Sequence, residues 1–460
     1  MRKFKRIIII VFLIAVGYGI FYLWGLIPIA SAYSAKIMCS CVFVSGRDEA
    51  SVKEHDLVNF TMVDMEVDQE KKTVESSIFG LGKRVAVYRK NLGCTLAVGA
   101  SENELEQTQL TDLTFLPERA DTVSWPMGDD LRNNIFPSNV NRSKLERAIK
   151  SQFEETDPDN LLRTRAVIVL YNGNLLAEHY ADGYSKDTPL LGWSMTKSVV
   201  NALIGILVKQ DKLAISNQEL LAKWQEAQDP RREISLDQML RMSSGLEFKE
   251  EYSTPIDVPK MLFGSYSASE YASEKELRSR PDGEWYYSSG TTNIVSKIIR
   301  NTFQSDLTYL SFPREALFNK LGMQSATMEI DASGSFVGSS FMYATARDWA
   351  RFGLLYLNDG VWNNERILPE GWVSYSTHPT PLVPMGNYGA HWWLNAGDEE
   401  GNRKFPSLPQ DAYYAAGHEG QIIMIVPSKK TVIVRLGLTL DSGRWDKEKF
   451  VKEVLESIEN

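Results

Sequence analysis

Residues 192–208 read GWSMTKSVVNALIGILV: a Gly-Trp pair, Ser194, Lys197 about one helical turn later, then an almost wholly apolar run. A lone lysine at the mouth of an apolar helix needs a reason, because burial disfavours its charged form. Three residues apart on a helix, Ser194 and Lys197 share one face, with Cβ atoms roughly 5–6 Å apart. Ser194 falls at the helix start, where outward-pointing N–H groups stabilise developing negative charge. A serine hydroxyl is a weak nucleophile until a base takes its proton. Lysine can be that base only when neutral, and at its ordinary pKa of about 10.4 roughly one in 2,500 is neutral at pH 7. The run VVNALIGILV supplies the burial that lowers this value. The bland alternative is a capping serine beside a surface lysine, because so short a motif also arises by chance.

Two further stretches bear on the choice. GEWYYSSGTTNIVSKIIR, residues 283–300, leads aromatics into Tyr287-Ser288-Ser289 and then a helix. A tyrosine phenol can shuttle a proton between nucleophile and leaving group if a nearby cation holds its pKa below the usual value of about 10. AYYAAGHEGQIIMIVP, residues 412–427, places Gly417, His418 and Gly420 just before an apolar strand. Glycine there allows close backbone approach to a ligand. Each stretch also has a plain structural explanation, as a core tyrosine beside a helix cap and as a turn into an edge strand.

In this order and spacing the three motifs resemble the serine β-lactamase-related hydrolases. These comprise class C β-lactamases, D-alanyl-D-alanine carboxypeptidases, family VIII esterases and 6-aminohexanoate-dimer hydrolases. That family carries S-x-x-K, then Y-x-N or Y-x-S, then K-T-G or H-x-G, which here are Ser194 to Lys197, Tyr287 to Ser289 and His418 to Gly420. The resemblance runs from about Arg163 to the C-terminus. It implies acyl transfer: Ser194 attacks a carbonyl, Lys197 and Tyr287 handle the proton, and water frees the acyl group. It also implies an oxyanion hole from the backbone N–H groups of Ser194 and Gln421, each donor worth about 3–4 kcal/mol. Ser289 and His418 would orient the substrate or tune Tyr287. Ser289 stands where relatives carry Asn, and His418 where they carry Lys. Histidine is only partly charged near neutral pH, which points away from an anionic β-lactam or D,D-peptide and toward an ester or amide. Two rival readings are a catalytically silent cell-envelope binding module and a cell-wall peptidase specific for D-amino acids.

The remaining sequence frames this domain. With 460 residues and a net charge of −9, the chain is long enough for two or three domains and lacks the basic surface that nucleic acid requires. MRKFKR is followed by IIIIVFLIAVGYGIFYLWGLIPIASA, residues 7–32, without a charge. About 20 apolar residues span a bilayer, and the basic flank belongs inside. The expected topology is therefore a cytoplasmic tail over residues 1–6 and one transmembrane anchor over 7–32 in a bacterial-type cytoplasmic membrane. The catalytic domain then lies in the periplasm or outside the cell. A cleaved signal peptide is the competing reading, though the run exceeds the roughly 7–15 residues of a typical apolar signal region.

Residues 33–125 read as a small appended β-rich region, from the alternating stretches at 60–80 and 83–90, with PERADTVSWPMGDD (117–130) as a connector. All three cysteines lie here: Cys39, Cys41 and Cys94. Outside the cytoplasm Cys94 is expected to pair with Cys39 or Cys41. No metal or organic cofactor is implied; the partners are a small-molecule or peptide-like substrate and the membrane. Residues 126–460 form the expected hydrolase domain. Ser143 is a candidate cap for a helix in 140–155, and Asn172-Gly173 reads as a hairpin turn. Residues 234–248 read as a helix closed by Gly245. Residues 345–360 read as another, ended by Gly360. Strands at 388–397, 412–427 and 429–438 precede a final helix. The fold class is α+β: an antiparallel sheet flanked by helices, with an all-helical lobe over about 215–331. His391, beside two tryptophans, is a candidate for the pocket wall.

Overall fold

The computed structural model describes residues 2–108, 110, 122–157, 161–252 and 255–459; within 2–23 it describes side chains only at Phe4 and Phe12. The first part of the expected connector at 117–130 lies outside the described residues.

The chain opens with α1 (Arg2–Phe43) and α2 (Glu49–His55). Next come β1 (Asp64–Asp68), β2 (Thr73–Ile78), β3 (Leu81–Arg89) and β4 (Gly93–Leu96), a four-stranded antiparallel sheet in that order. After α3 (Glu102–Gln107) and α4 (Arg142–Lys150) follow β5 (Thr164–Tyr171), β6 (Asn174–Tyr180), β7 (Leu190–Leu191) and α5 (Thr196–Lys209). A helical stretch follows, with α6 (Leu236–Leu240), α7 (Asp257–Gly264), α8 (Ala268–Ser273), α9 (Ser289–Asn301), α10 (Asp306–Pro313) and α11 (Asn319–Leu321). The chain then returns through β8 (Thr327–Met328) and β9 (Met342–Ala344) to α12 (Ala346–Leu357). β10 (Val361–Trp362), β11 (Glu365–Arg366) and α13 (Trp372–Ser376) lead to β12 (Trp393–Leu394), β13 (Tyr413–Gly417), β14 (Gln421–Val426), β15 (Thr431–Gly437) and α14 (Lys447–Glu456).

The main sheet is antiparallel, in the order β12-β13-β14-β15-β5-β6. Its strands read as unbroken apolar runs because both faces are covered. Val167, Val169, Ile422, Met424 and Ile433 face α4 and α14, while Ala166, Ile168, Ile423, Ile425, Val432 and Val434 face the larger core with α5 and α12. This alternation is the two-residue strand period. Gly353 of α12 permits the close approach, since a Cβ there would meet Val432 at 2.6 Å. The β5–β6 turn takes φ of 50° at Asn172 and 77° at Gly173, as its Asn-Gly sequence requires.

Four expectations need correction. The N-terminal helix does not stop at residue 32; it continues to Phe43, and residues 31, 32 and 34–41 are buried. The cap of α4 is Asn141, whose Oδ1 accepts from Lys144 N at 3.0 Å, and Ser143 lies inside the helix. The helix expected over 234–248 ends at Leu240, because Met242 turns with φ 62° and its carbonyl accepts from Tyr286 N. Gly245 does adopt a positive φ of 77°, but two turns later. The helical lobe gives way to strand at Thr327, just inside the expected limit of 331.

Residues 33–125 are also no mere appendage, because α1 and β4 share one continuous core with α5, α7 and α12. Cys39 bonds Cys94, joining α1 to β4, and Cys41 is free and buried. Glu329, between β8 and β9, is fully buried. It pairs with Lys36 of α1 and accepts from Ser40 Oγ at 2.8 Å and Cys94 N at 2.7 Å.

Candidate active site

The turn ahead of α5 is gripped from both sides. Gly192 N donates to Met342 O of β9 at 2.9 Å. On the other side β13 comes so near that a Cβ on Gly417 would lie 2.2 Å from Gly192 O. Trp193 is held at φ 47°, a strained value for a large side chain, and its Nε1 donates to Glu419 Oε2 at 3.1 Å. A 3₁₀ turn over Trp193–Met195 then feeds α5. Between residues 192 and 207, Ser194 is the single residue that is not buried. The pair at the helix mouth is therefore a part-exposed hydroxyl with a buried amine behind it.

Lys197 is 2% exposed and points back at Ser194. Its Nζ lies 3.0 Å from Ser194 Oγ, 3.0 Å from Ser289 Oγ and 3.0 Å from Ser339 O. Burial lowers its pKa to about 8, against a smaller opposing pull from the Glu250 carboxylate. At pH 7 roughly one molecule in ten then carries the neutral amine. Tyr287 is half-buried, its ring centroid 4.8 Å from Lys197 Nζ, and its phenol interacts with Ser194. The expectation of a depressed phenol pKa is not met. Burial and then the Glu250 carboxylate raise it, so Tyr287 holds its proton at neutral pH.

Glu250 escaped the sequence reading. Its Oε1 accepts from Ser289 Oγ at 2.5 Å and from Tyr252 OH at 3.1 Å, and its Oε2 accepts from Ser289 N at 2.8 Å. Ser289, whose hydroxyl donates to Glu250, can only accept from Lys197, and the carbonyl of Ser339 can only accept as well. A neutral amine has two N–H groups, and both are thus engaged. Its lone pair is left facing the Ser194 hydroxyl.

The other expected residues sit as follows. His418 stands at the rim, stacked on Tyr252 with centroids 5.1 Å apart and edge-on to Trp193 at 5.6 Å. Gly420 has φ 85°, and a Cβ there would meet the Arg435 guanidinium at 2.5 Å. Its freedom is needed for that packing. The buried Arg435 donates to Gly420 O at 3.0 Å and props the turn from below. Gln421 opens β14, and its side chain holds Gly437 twice, donating to its carbonyl at 2.7 Å and accepting from its N–H at 2.9 Å. His391 is not a pocket wall. It lies behind α5, with Nδ1 3.0 Å from Lys197 O, and burial with the nearby Lys197 drives its pKa to about 3, leaving it neutral. The wall beside Tyr287 is aromatic: Trp393 stacks on it at 5.3 Å and Tyr388 meets it edge-on at 5.9 Å. Among the described residues no group of three His, Cys, Asp or Glu side chains converges to hold a metal.

Comparison with known proteins gives a family match and a shared fold. The model of the Beta-lactamase family matches residues 153–447. A 6-aminohexanoate-dimer hydrolase of Paenarthrobacter ureafaciens is 26% identical over 310 residues, covering 63% of this chain and 74% of that protein. A Bacillus anthracis structure described as a 6-aminohexanoate-dimer hydrolase superposes with a TM-score of 0.53 at 23% identity, over 67% of this chain and 80% of its own. A family VIII carboxylesterase gives 0.55 at 13% identity, over 70% and 98%.

Proposed function

Since the chain belongs to the Beta-lactamase family and is by that membership a serine hydrolase, we propose that it cleaves an ester or amide through a Ser194 acyl-enzyme. The observation that carries this reading is the Lys197 amine, 3.0 Å from Ser194 Oγ, with its other two partners able only to accept. Neutral Lys197 takes the proton as Ser194 Oγ bonds to the substrate carbonyl carbon. The backbone N–H groups of Ser194 and Gln421 receive the oxyanion. Tyr287, holding its proton, passes it to the departing alcohol or amine and is refilled from Lys197. Water then cleaves the acyl bond by the reverse path. Glu250 acts at one remove: it accepts the hydrogen bond of the Ser289 hydroxyl, which leaves Ser289 to accept from Lys197 and turns the lysine lone pair toward Ser194.

The aromatic surface of Tyr287 and Trp393, backed by the buried Tyr388, suits an apolar or uncharged substrate portion. With His418 rather than a lysine at the rim, a fixed cation for a substrate carboxylate is lacking there. Ester and amide cleavage also agrees with the names of the relatives, a family VIII carboxylesterase and a 6-aminohexanoate-dimer hydrolase. The N-terminal helix holds the enzyme to the membrane with the catalytic domain outside the cytoplasm.

The direct test is a fluorophosphonate probe on the purified chain, with the adduct located by peptide mass spectrometry. A stoichiometric adduct on Ser194, absent from Ser194→Ala, is expected. A folded sample whose Ser194 is acylated neither by the probe nor by short-chain esters or a cephalosporin would favour the silent binding module.

A pH profile tests the base. Only neutral Lys197 can accept a proton, so kcat/KM should rise with pH and level off above about 8. The Glu250 carboxylate favours the protonated lysine. Glu250→Gln should therefore move the midpoint to lower pH while lowering kcat, because a single amide oxygen replaces the two carboxylate oxygens that accept from Ser289 Oγ and Ser289 N. An unmoved midpoint would remove Glu250 from the mechanism.

A further inference from the structure

The tip of the β2–β3 hairpin exposes Phe79 (78%) and Leu81 (49%), both apolar and uncovered among the described residues. Phe79 takes a φ of 51°, which turns the chain sharply at the tip. Gly82, next along, lies against α1: a Cβ there would meet the Ile27 side chain at 2.6 Å and Pro28 N at 3.1 Å. Trp24 stands three residues before Ile27 and four before Pro28, hence on the same helical face and about 5 Å further toward the N-terminus. It is 69% exposed. Trp24, Phe79 and Leu81 are thus three exposed apolar side chains within a few residues of the contact between Gly82 and α1.

The level of that contact along α1 is informative. The uncharged run begins at Ile7, after Arg6. A hydrocarbon core takes about 20 helical residues, which places its outer boundary near Leu26, one residue from the Gly82 contact. Tryptophan is the residue favoured at such a boundary. Charge returns just above the tip, with Lys83 paired to Glu75 and with Arg84, where long basic side chains can reach the headgroups. We propose that the β2–β3 hairpin tip is a second membrane contact, in which Phe79 and Leu81 enter the outer headgroup layer beside Trp24. This rests on the reading of α1 as an uncleaved anchor and adds that the body is seated on the bilayer through its own sheet.

The test uses the full-length chain in lipid nanodiscs. Single cysteines are placed at Phe79→Cys, Glu70→Cys and Phe12→Cys and labelled with an environment-sensitive fluorophore. Cys41 is buried and the other two cysteines are bonded to each other, so the unmodified chain serves as the blank. Glu70 lies in the exposed turn at the opposite end of the same sheet. Lipids spin-labelled at the headgroup are expected to quench the label at 79 several-fold more than at 70, and acyl-chain spin labels should quench the label at 12. If 12 is quenched while 79 behaves like 70, the hairpin contact is refuted and the anchor stands. If 12 is unquenched, the anchor fails and the contact with it. A label at 79 that is blue-shifted but insensitive to spin-labelled lipid would mean that another copy of the chain covers the tip, which also overturns the proposal.

Discussion

Ser194→Ala is expected to lower turnover of any accepted ester by about 10⁴-fold or more, because it removes the proposed nucleophile. Lys197→Ala should cost about 10²–10⁴-fold, the range for losing a positioned general base. The two losses should not add in the double variant, since both residues act in one step. Circular dichroism and thermal melting should show a retained fold in each case. Full activity in folded Lys197→Ala would refute its role as base. Activity in Lys197→Ala that returns only at high pH would mean that hydroxide replaces the amine, which supports the assignment.

The second large effect is on stability, at the junction of α1 with the hydrolase domain. Glu329 is fully buried, and Lys36, Ser40 and the backbone of Cys94 all direct donors at it. Glu329→Ala strands a buried ammonium, and breaking such a pair from one side costs about 3–5 kcal/mol. The double change Lys36→Met with Glu329→Leu removes both charges and should recover much of that loss. Urea unfolding of the unmodified chain and the two variants under oxidising conditions measures both effects. Unchanged stability of Glu329→Ala would mean that α1 does not depend on this contact.

How legible these features were depends on how far apart their parts lie in the chain. Ser194 and Lys197 could be paired on paper because the helical period brings positions three apart together. Asn172-Gly173 announced its turn because few other pairs tolerate two positive φ values in succession. Glu250 could not be singled out: it sits in FKEEY, where a lysine and two glutamates read as a solvated stretch, and its partner Ser289 is 39 residues away. Lys36 and Glu329 are separated by 293 residues, so neither looked unusual. The helix at 234–248 was misjudged because residues beyond Leu240 have a helical pattern, whereas bonds from Tyr286, Arg278 and Ser279 bend them into a turn. Tyr287 stands out in the sequence through its motif, but the sign of its pKa shift needs the depth of burial and the Glu250 charge.

The continuity of α1 has a consequence for how the enzyme meets substrate. Tethered enzymes usually hang on a flexible leash, whose length sets the volume they sweep and their effective concentration. Here the helix that begins at Arg2 runs without a break into the buried core at residues 31–41, so there is no leash to sweep with. Held in a membrane, the cleft keeps one stand-off and one tilt relative to the lipid surface. It can search laterally but not vertically, and molecules that do not pass through that layer are not met, however well they fit. Selectivity is then partly a matter of address, and a detached soluble form should accept substrates that the anchored form never encounters.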